Sequence, residues 1–357
     1  MPSAKLVKKS RIGKSFRVEK IKGMFDLADV EEVIHTINAN IPIEGRDWNI
    51  GLIVGSSGTG KTTIAQELFP DFLYFKGFEW IHDSMIEDFD ASISASEIVS
   101  ACSSVGLSSA PDWLKPYHVL SNGQKMRADL ARLVCENSDR PIIYDEFTSV
   151  VDRQVAKVSS ASISKFVRKK KVKFVAVSCH SDIVEWLDPD WVYNSDKSDF
   201  SWRCLQGRPK IEMRIRYGEE KEWSIFKSYH YLNSNHHNGA EKFVAEIDNV
   251  PVAWCSVLHM PHSISKNIKR VHRLVVRPDY QGLGIGTSLL NYVGSFFKEK
   301  GFRLTITTSL ECFCKTMCKN KKWFMKTHGY QRKPTGIKAL TSTSSCNRLT
   351  ASFEYRG

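Results

Sequence analysis

The chain has 357 residues, of which 42% are hydrophobic, and its formal net charge is +12. This length favours two domains over one ordinary core, and the composition excludes a disordered chain. No stretch reaches the roughly 20 consecutive apolar residues of a membrane span, and no apolar run follows the basic N-terminus as it would in a secretory signal. We therefore expect a cytoplasmic protein without a membrane partner.

The cysteines and the basic residues indicate little about chemistry by themselves. The nine cysteines are scattered and odd in number, which argues against a disulfide framework. Cys312, Cys314 and Cys318 match no standard zinc spacing, so we expect reduced thiols in a helix.

Lysine and arginine crowd segments 5–20 and 315–338. Such segments attract polyanions, although solvated faces explain them equally well.

Strands and helices alternate in the first half of the chain. The predicted elements are a strand at 48–55, a helix from Lys61 to Pro70, a polar helical stretch at 80–120, a helix at 124–135, a strand at 141–144, a helix at 155–169 and a strand at 174–178. This alternation predicts an α/β domain whose parallel sheet carries helices on both faces.

The pattern weakens at 194–209, where polar residues, glycine and proline accumulate. We place a domain boundary there, which gives domains 1–207 and 208–357. The elements predicted beyond it are strands at 242–247 and 252–258 joined by a turn at Asp248-Asn249, a strand at 271–276, a helix at 285–298 and a strand at 304–308.

A phosphate-binding loop follows the first predicted strand. The run Gly55-Ser56-Ser57-Gly58-Thr59-Gly60-Lys61-Thr62 fits G-x-x-x-x-G-K-[ST] between a strand and a helix, which is the context this motif needs. Backbone amides and the helix N-terminus attract phosphates, Lys61 reaches the β- and γ-phosphates, and the Thr62 hydroxyl binds Mg²⁺. With Thr63, these residues form the predicted ATP contacts.

A pair of carboxylates follows the strand at 141–144. We expect the strand to bring Asp145 to the Mg²⁺ and to place Glu146 where it can polarise the attacking water. Together with the phosphate loop, these carboxylates predict a nucleotide-hydrolysing site that uses ATP and Mg²⁺.

Taken together, these motifs resemble those of the ABC ATPases. The further runs that carry the resemblance are Leu120-Ser121-Asn122-Gly123-Gln124, Thr148-Ser149-Val150-Val151-Asp152 and Ser178-Cys179-His180. The resemblance implies that His180 is the switch histidine. It also implies that Ser121, Gly123 and Gln124 contact ATP held by a second protomer, in an ATP-dependent homodimer. The glutamine loop of that family is not recognisable between residues 70 and 110.

A glycine-rich loop in the second half resembles the acetyl-CoA loop of the GNAT acyltransferases. It follows the strand at 271–277 and reads Gln281-Gly282-Leu283-Gly284-Ile285-Gly286. The resemblance implies an α+β domain with a mixed sheet. It also implies acyl-CoA contacts from Val275, Val276, Arg277, Gln281, Gly282, Leu283, Gly284, Ile285, Gly286 and Thr287. The tyrosine acid of that family is replaced by Met325, which leaves His272, Tyr280, Thr308 and Ser309 as candidates for acyl transfer.

A narrower resemblance links the second domain to Mom-like GNAT proteins, which are phage DNA-modification enzymes. It is carried by Tyr229-His230-Tyr231-Leu232, by 272–276, by Thr307-Thr308-Ser309 and by 351–355. It implies a phage or bacterial origin, a DNA partner and a site role for His230, whose alternative role is core packing. The resulting hypothesis is an ATPase fused to an acyl-CoA-dependent transferase that modifies nucleic acid. The alternatives are an ATP-gated acetyltransferase of a protein or small molecule, and a DNA clamp whose GNAT-like domain only binds.

Overall fold

The computed structural model describes residues 3–30, 32–137, 139–203, 211–230, 236–261, 265–330 and 349–357. Its contacts define two compact units. The first comprises 1–77, 139–150 and 167–208, and the second comprises 78–138, 151–166 and 209–357. The boundary predicted after residue 207 falls outside the described residues.

The described elements include fifteen strands and ten α-helices. The strands are β1 (Ser3–Arg11), β2 (Glu32–Asn40), β3 (Ile50–Val54), β4 (Leu73–Phe75), β5 (Ile142–Tyr144), β6 (Phe174–Ser178), β7 (Trp191–Asn194), β8 (Asp199–Trp202), β9 (Arg214–Tyr217), β10 (Glu241–Ile247), β11 (Val250–His259), β12 (Ile268–Val276), β13 (Arg303–Thr308), β14 (Trp323–Tyr330) and β15 (Leu349–Tyr355). The helices are α1 (Phe16–Met24), α2 (Lys61–Leu68), α3 (Ala95–Ser104), α4 (Ala110–Trp113), α5 (Asn122–Glu136), α6 (Arg153–Lys170), α7 (Val184–Leu187), α8 (Trp223–Phe226), α9 (Ile285–Glu299) and α10 (Glu311–Lys319).

The first unit is built on a six-stranded sheet of order β4-β5-β6-β3-β7-β8. All of its neighbouring strands run parallel except β7 and β8. Every residue of β3 is buried, and the aromatic rings of Trp48, Phe69 and Trp191 pack against one another in the core. A separate antiparallel hairpin joins β1 and β2. The predicted parallel α/β sheet is confirmed.

The second unit combines α3, α4 and α5 with a seven-stranded mixed sheet of order β14-β15-β13-β12-β11-β10-β9. Helix α9 buries Leu289, Val293 and Phe297 in the core of this sheet. The turn between β10 and β11 places Asp248 and Asn249 at φ angles of 52° and 62°. Such positive angles match the twist of a two-residue hairpin, so the predicted turn and the predicted mixed sheet are confirmed.

The parallel pair β12 and β13 diverges along its length. Only residues 268–270 of β12 pair with β13, at 303–305. In the described part of the chain, 271–276 then pairs with β11 alone. One backbone edge of this stretch therefore has no partner strand among the described residues, although the Val276 carbonyl accepts from the Gln281 side chain.

No helix among the described residues is both long and apolar enough to cross a membrane.

Candidate functional site

Three loops meet at one edge of the first unit's sheet, because the carboxyl ends of parallel strands lie on the same side. The loop Gly55–Gly60 follows β3, Asp145 and Glu146 follow β5, and His180 follows β6. Strand β6 pairs in parallel with both β5 and β3. The predicted phosphate loop, carboxylate pair and switch histidine therefore come from three adjacent strands.

The phosphate loop ends at a glycine that no other residue could replace without strain. Gly60 precedes α2 with a φ of 81°, and a Cβ there would lie 2.1 Å from Cδ1 of Ile37. Lys61 folds back so that its Nζ donates to the carbonyl of Ser56 at 2.6 Å. The loop thus leads directly into the N-terminus of α2, which is a type of position that attracts anions.

The residues that follow β7 form hydrogen bonds with the phosphate loop. The hydroxyls of Thr59 and Ser195 lie 2.6 Å apart, and the amide of Ser56 donates to the Asp196 carboxylate at 3.0 Å. Ser195 and Asp196 lie in the polar stretch that composition marked as a boundary. Sequence reasoning missed them because β7 and β8 are short and carry no motif.

Asp145 is the centre of the predicted Mg²⁺ site. The Thr62 hydroxyl donates to its carboxylate at 3.0 Å, and so does the Glu146 amide. The hydroxyl of Tyr74, on β4, also donates to Asp145. Burial, reinforced by this carboxylate, raises the pKa of Tyr74. A hydroxyl and a carboxylate at this spacing are oxygen ligands of the kind Mg²⁺ takes, so the residues present fit the ion. Tyr74 was missed because nothing in the sequence shows that β4 lies beside β5.

The remaining predicted ATPase residues occupy defined positions. Glu146 is exposed and adopts a φ of 51°, in the left-handed region that non-glycine residues rarely use. His180 is half-buried, and its amide donates to the Ser178 hydroxyl at 3.1 Å. In the second unit, Ser121 and Gln124 form a capping box that starts α5. The resemblance gave Ser121 and Gln124 a role in ATP contact, and the structure adds this local one.

The loop after β12 in the second unit has the same local design as the phosphate loop. Gly284 precedes α9 with a φ of 83°, and a Cβ there would meet no described atom within 4 Å. The backbone at Gly284 can therefore be approached closely from the side where a Cβ would lie. Gly282 and Gly284 are exposed, whereas Val275 and Ile285 are buried in the scaffold.

The helical part of the second unit anchors this loop. The carboxamide of Gln281 donates to the Val276 carbonyl at 3.0 Å and accepts from the Ser108 amide at 3.1 Å. Nη2 of Arg127, which is wholly buried on α5, lies 3.4 Å from the Asp279 carboxylate. The loop is thus tied to the segment that carries the ABC-like signature.

Two of the five acyl-transfer candidates meet in one cluster. His230 packs on Trp223, with ring centroids 6.2 Å apart, and His236 lies 5.3 Å from Trp223 and 5.9 Å from His272. Among the described residues, no hydrogen bond or ring contact joins Tyr280, Thr308 or Ser309 to this cluster. His236 was missed because nothing in the sequence connects it with His272.

The cysteine cluster of the second unit lies on α10. Its Cys314 and Cys318 form no disulfide bond among the described residues. No group of three His, Cys, Asp or Glu side chains in the described part of the chain could hold a metal ion.

The comparisons with known proteins concern both units. The model of the acetyltransferase (GNAT) family matches residues 186–313. An uncharacterized N-acetyltransferase of Methanocaldococcus jannaschii is 28% identical over 90 residues, which cover 25% of this chain and 38% of that protein. The chain thus spans less than half of that relative. The predicted similarity to GNAT acetyltransferases is confirmed for this segment, and the Mom-like resemblance stays a prediction.

Two solved structures are similar at low identity. One is a dimeric ATP-binding cassette in a post-hydrolysis state with ADP and Pi, at 16% identity and a TM-score of 0.38, covering 54% of this chain and 92% of that chain. The other is a Bacillus subtilis acetyltransferase in complex with CoA, at 13% identity and a TM-score of 0.30, covering 41% and 99%. At such TM-scores these likenesses add nothing to the fold assignment, which stands on the strand order and the loops described above.

Proposed function

We propose that the chain binds and hydrolyses ATP in the first unit and uses acyl-CoA in the second, to acylate a nucleic acid. The observation that supports this best is the pair of helices α2 and α9. Each begins at a left-handed glycine directly after a loop that follows a sheet strand. Lys61 is the first residue of α2, and a Cβ on Gly284 before α9 would meet no described atom within 4 Å. The N-terminus of such a helix binds anionic groups, and both ATP and CoA contain phosphates.

In the first unit, each predicted residue has a defined task. The loop Gly55–Gly60 and Lys61 hold the phosphates, and Thr62 and Asp145 hold Mg²⁺. Glu146 orients and deprotonates water, and its exposure leaves it accessible to that water. His180 faces the same edge from β6. The signature residues Ser121 and Gly123 complete the site of a second protomer when ATP joins two chains.

In the second unit, the loop at 281–287 holds the pyrophosphate, and the edge of β12 that faces away from β11 at 271–275 holds the pantetheine arm through backbone hydrogen bonds. When bound, acyl-CoA supplies a thioester that a nitrogen nucleophile can attack. The chain's own residues position that nucleophile and move its proton. His272, Tyr280, Thr308, Ser309 and His230 remain the candidates that the sequence offers for this task.

A nucleic-acid acceptor is favoured by the distribution of charge. Lys319, Lys321 and Lys322 are exposed around the end of α10, whereas Lys326 is ion-paired with Glu354 at 3.1 Å. The segment's other basic residues Arg332, Lys333 and Lys338 lie outside the described residues. Free lysines bind phosphates and release counterions, and a base inside a duplex must be flipped out before it is modified.

Mass spectrometry of nucleosides from DNA of cells that express the protein tests the acceptor. We expect an acylated base that disappears in the Lys61→Ala variant. If the DNA contains no modified nucleoside and the protein instead transfers an acetyl group to a protein or small molecule, the ATP-gated acetyltransferase is favoured. DNA binding without any acyl transfer would favour the clamp.

Fluorescence anisotropy on a labelled duplex across a salt series tests the DNA contacts separately. Replacing Lys319, Lys321 and Lys322 by Ala should flatten the log–log salt slope by roughly one unit per lost contact. Lys326→Ala is the matched control, because its charge is already paired. If none of these substitutions changes the salt dependence of DNA affinity, the positive charge of this segment serves solubility and not DNA binding.

A further inference from the structure

We infer that His236, oriented by Glu220, is the general base for acyl transfer in the second unit, and that its basic surroundings select an uncharged nitrogen acceptor. This inference rests on the proposed acyl-CoA chemistry. It adds a residue that sequence patterns did not suggest and a chemical class for the acceptor.

The geometry is that of a carboxylate–histidine dyad. Nδ1 of His236 lies 3.0 Å from Oε1 of Glu220, and the His236 side chain is only 2% exposed. This hydrogen bond places the proton of the neutral ring on Nδ1 and leaves the lone pair on Nε2. Nε2 is buried and has no hydrogen-bond partner among the described residues. A buried lone pair without a donor is costly to maintain unless a ligand supplies that donor.

The dyad lies beside the strand that carries the predicted acyl-CoA edge. The ring of His236 is 5.9 Å from that of His272, which precedes Val275 on β12 by three residues. Trp223 and Trp254 pack against His236 at 5.3 and 5.4 Å between ring centroids. Nε2 of His272 is also buried without a partner in the described part of the chain. Two imidazole rings with unpartnered Nε2 atoms thus lie side by side among aromatic rings.

The surroundings of the dyad are predominantly basic. Lys242 on β10 binds the other Glu220 oxygen at 2.8 Å, and Arg273, His272, His230 and His237 are the further groups that act on the two histidines. Burial, with help from the positive charges of Lys242 and Arg273, lowers the pKa of His236. Burial and the charge of Arg273 lower the pKa of His272 to about 4. Both rings are therefore neutral at physiological pH. Of the two, only His236 has a carboxylate partner, Glu220, that favours its protonated form.

The same charges disfavour a cationic acceptor. The charge of Lys242 is offset by Glu220, but an alkyl ammonium would meet the guanidinium of Arg273 as a like charge. It would also have to lose a proton before it could attack. An uncharged exocyclic amine of a nucleobase meets neither obstacle. As its nitrogen forms a bond to the acyl carbon, the carbon–sulfur bond breaks and one proton passes from nitrogen to Nε2 of His236. That proton then goes to the released thiolate, so the dyad returns to its neutral state.

Variants of the full-length protein test this assignment. His236→Gln should lower kcat for acetyl transfer at least about 100-fold, the usual contribution of a general base, with little effect on CoA affinity by calorimetry. Glu220→Asp should retain more activity than Glu220→Gln, because it keeps the carboxylate. His259→Gln, at an exposed histidine at the end of β11, is the control. Equal activity of the His236→Gln and His259→Gln proteins would overturn the assignment.

Two further readouts separate this inference from the proposed function. Release of CoA from acetyl-CoA by water needs the same base but no acceptor, and ¹⁵N NMR of His236 needs no substrate. We expect an Nδ1–H ring with a pKa below that of a free histidine. A ring that titrates as an exposed histidine would refute the dyad even if acyl-CoA turns over. Failure of calorimetry to detect CoA would instead refute the proposed function.

The acceptor class is tested with two probes at equal concentration. We expect acetyl transfer to an adenine-containing single-stranded oligonucleotide to exceed transfer to a lysine peptide at least about tenfold, and Arg273→Gln to reduce this preference. Preference for the lysine peptide would contradict the predicted selectivity.

Discussion

The hydroxyl of Tyr74 donates a hydrogen bond to the carboxylate of Asp145, which joins the ends of the parallel strands β4 and β5. We predict that Tyr74→Phe weakens Mg²⁺-dependent ATP hydrolysis. A hydrogen bond to a charged group contributes about 1.5–3 kcal/mol, so the Mg²⁺ concentration for half-maximal activity should rise on the order of tenfold. An ATPase assay across a Mg²⁺ series measures it.

Tyr193→Phe is the matched control for this prediction. It removes a tyrosine hydroxyl from the same unit, but that hydroxyl donates to the Asn38 carbonyl at 3.3 Å, away from Asp145. A Mg²⁺ dependence that Tyr74→Phe leaves unchanged would show that the bond does not support the ion site.

Glu146 is accessible to water beside the predicted Mg²⁺ ligand. We predict that Glu146→Gln keeps ATP binding but slows hydrolysis by about 10²–10⁴-fold, the range for loss of general-base catalysis. It should also trap an ATP-dependent dimer, visible by sedimentation. Glu67→Gln on the exposed side of α2 is the control. Normal turnover in Glu146→Gln would remove this residue from the base role, and a monomer at saturating ATP would refute the shared site.

Arg127 is wholly buried, and its ion pair with Asp279 offsets part of the cost of burying the charge. We predict that Asp279→Ala lowers the stability of the second unit by about 2 kcal/mol, or roughly 4–8 °C in Tm. The value lies below that for a fully buried pair because the Asp279 side chain is 43% exposed. Adding Arg127→Met to this variant should recover part of the loss. Thermal unfolding of the wild type, the single variant and the double variant measures this. If the double variant is no more stable than Asp279→Ala, the loss of stability comes from packing and not from the unpaired charge of Arg127.

The lowered pKa of His272 predicts how stability changes with pH. As the pH falls from the ordinary value of 6.5 toward about 4, the unfolded chain takes up a proton on this residue that the folded chain resists. Stability should therefore fall over this window. His272→Gln cannot be protonated, so its Tm should fall less between these two pH values. An identical decline in both proteins would show that other groups control the acid sensitivity.

The sequence predicts those elements and loops whose signal lies within one continuous run of residues. The strands at 141–144 and 174–178, the start of α2 at Lys61 and the start of α9 at Ile285 follow from apolar runs and glycine loops. The turn at Asp248-Asn249 follows from its residue types. These features depend on neighbours in sequence, which local rules describe.

The other parts depend on neighbours in space. Tyr74 reaches Asp145 only because β4 pairs with β5, and Asp196 reaches Ser56 only because β7 pairs with β3. Strand order within a parallel sheet is not encoded by any single run. The dyad of Glu220 and His236 likewise joins positions on either side of residues 231–235, which lie outside the described residues. Sequence therefore predicted the loops of both sites but not the residues that support them.

The central claim is that one chain holds two separate anion sites, one for ATP and one for acyl-CoA. Isothermal titration calorimetry on the full-length protein with ATP and with CoA tests it most directly. Lys61→Ala should abolish ATP binding and leave CoA affinity unchanged. Thr287→Glu, which puts a negative charge at the α9 N-terminus, should weaken CoA binding at least about tenfold and spare ATP. Lys169→Ala and Tyr292→Glu, at exposed positions on α6 and α9, are the controls. Loss of both ligands in one variant, or no CoA binding by the intact protein, would contradict the claim.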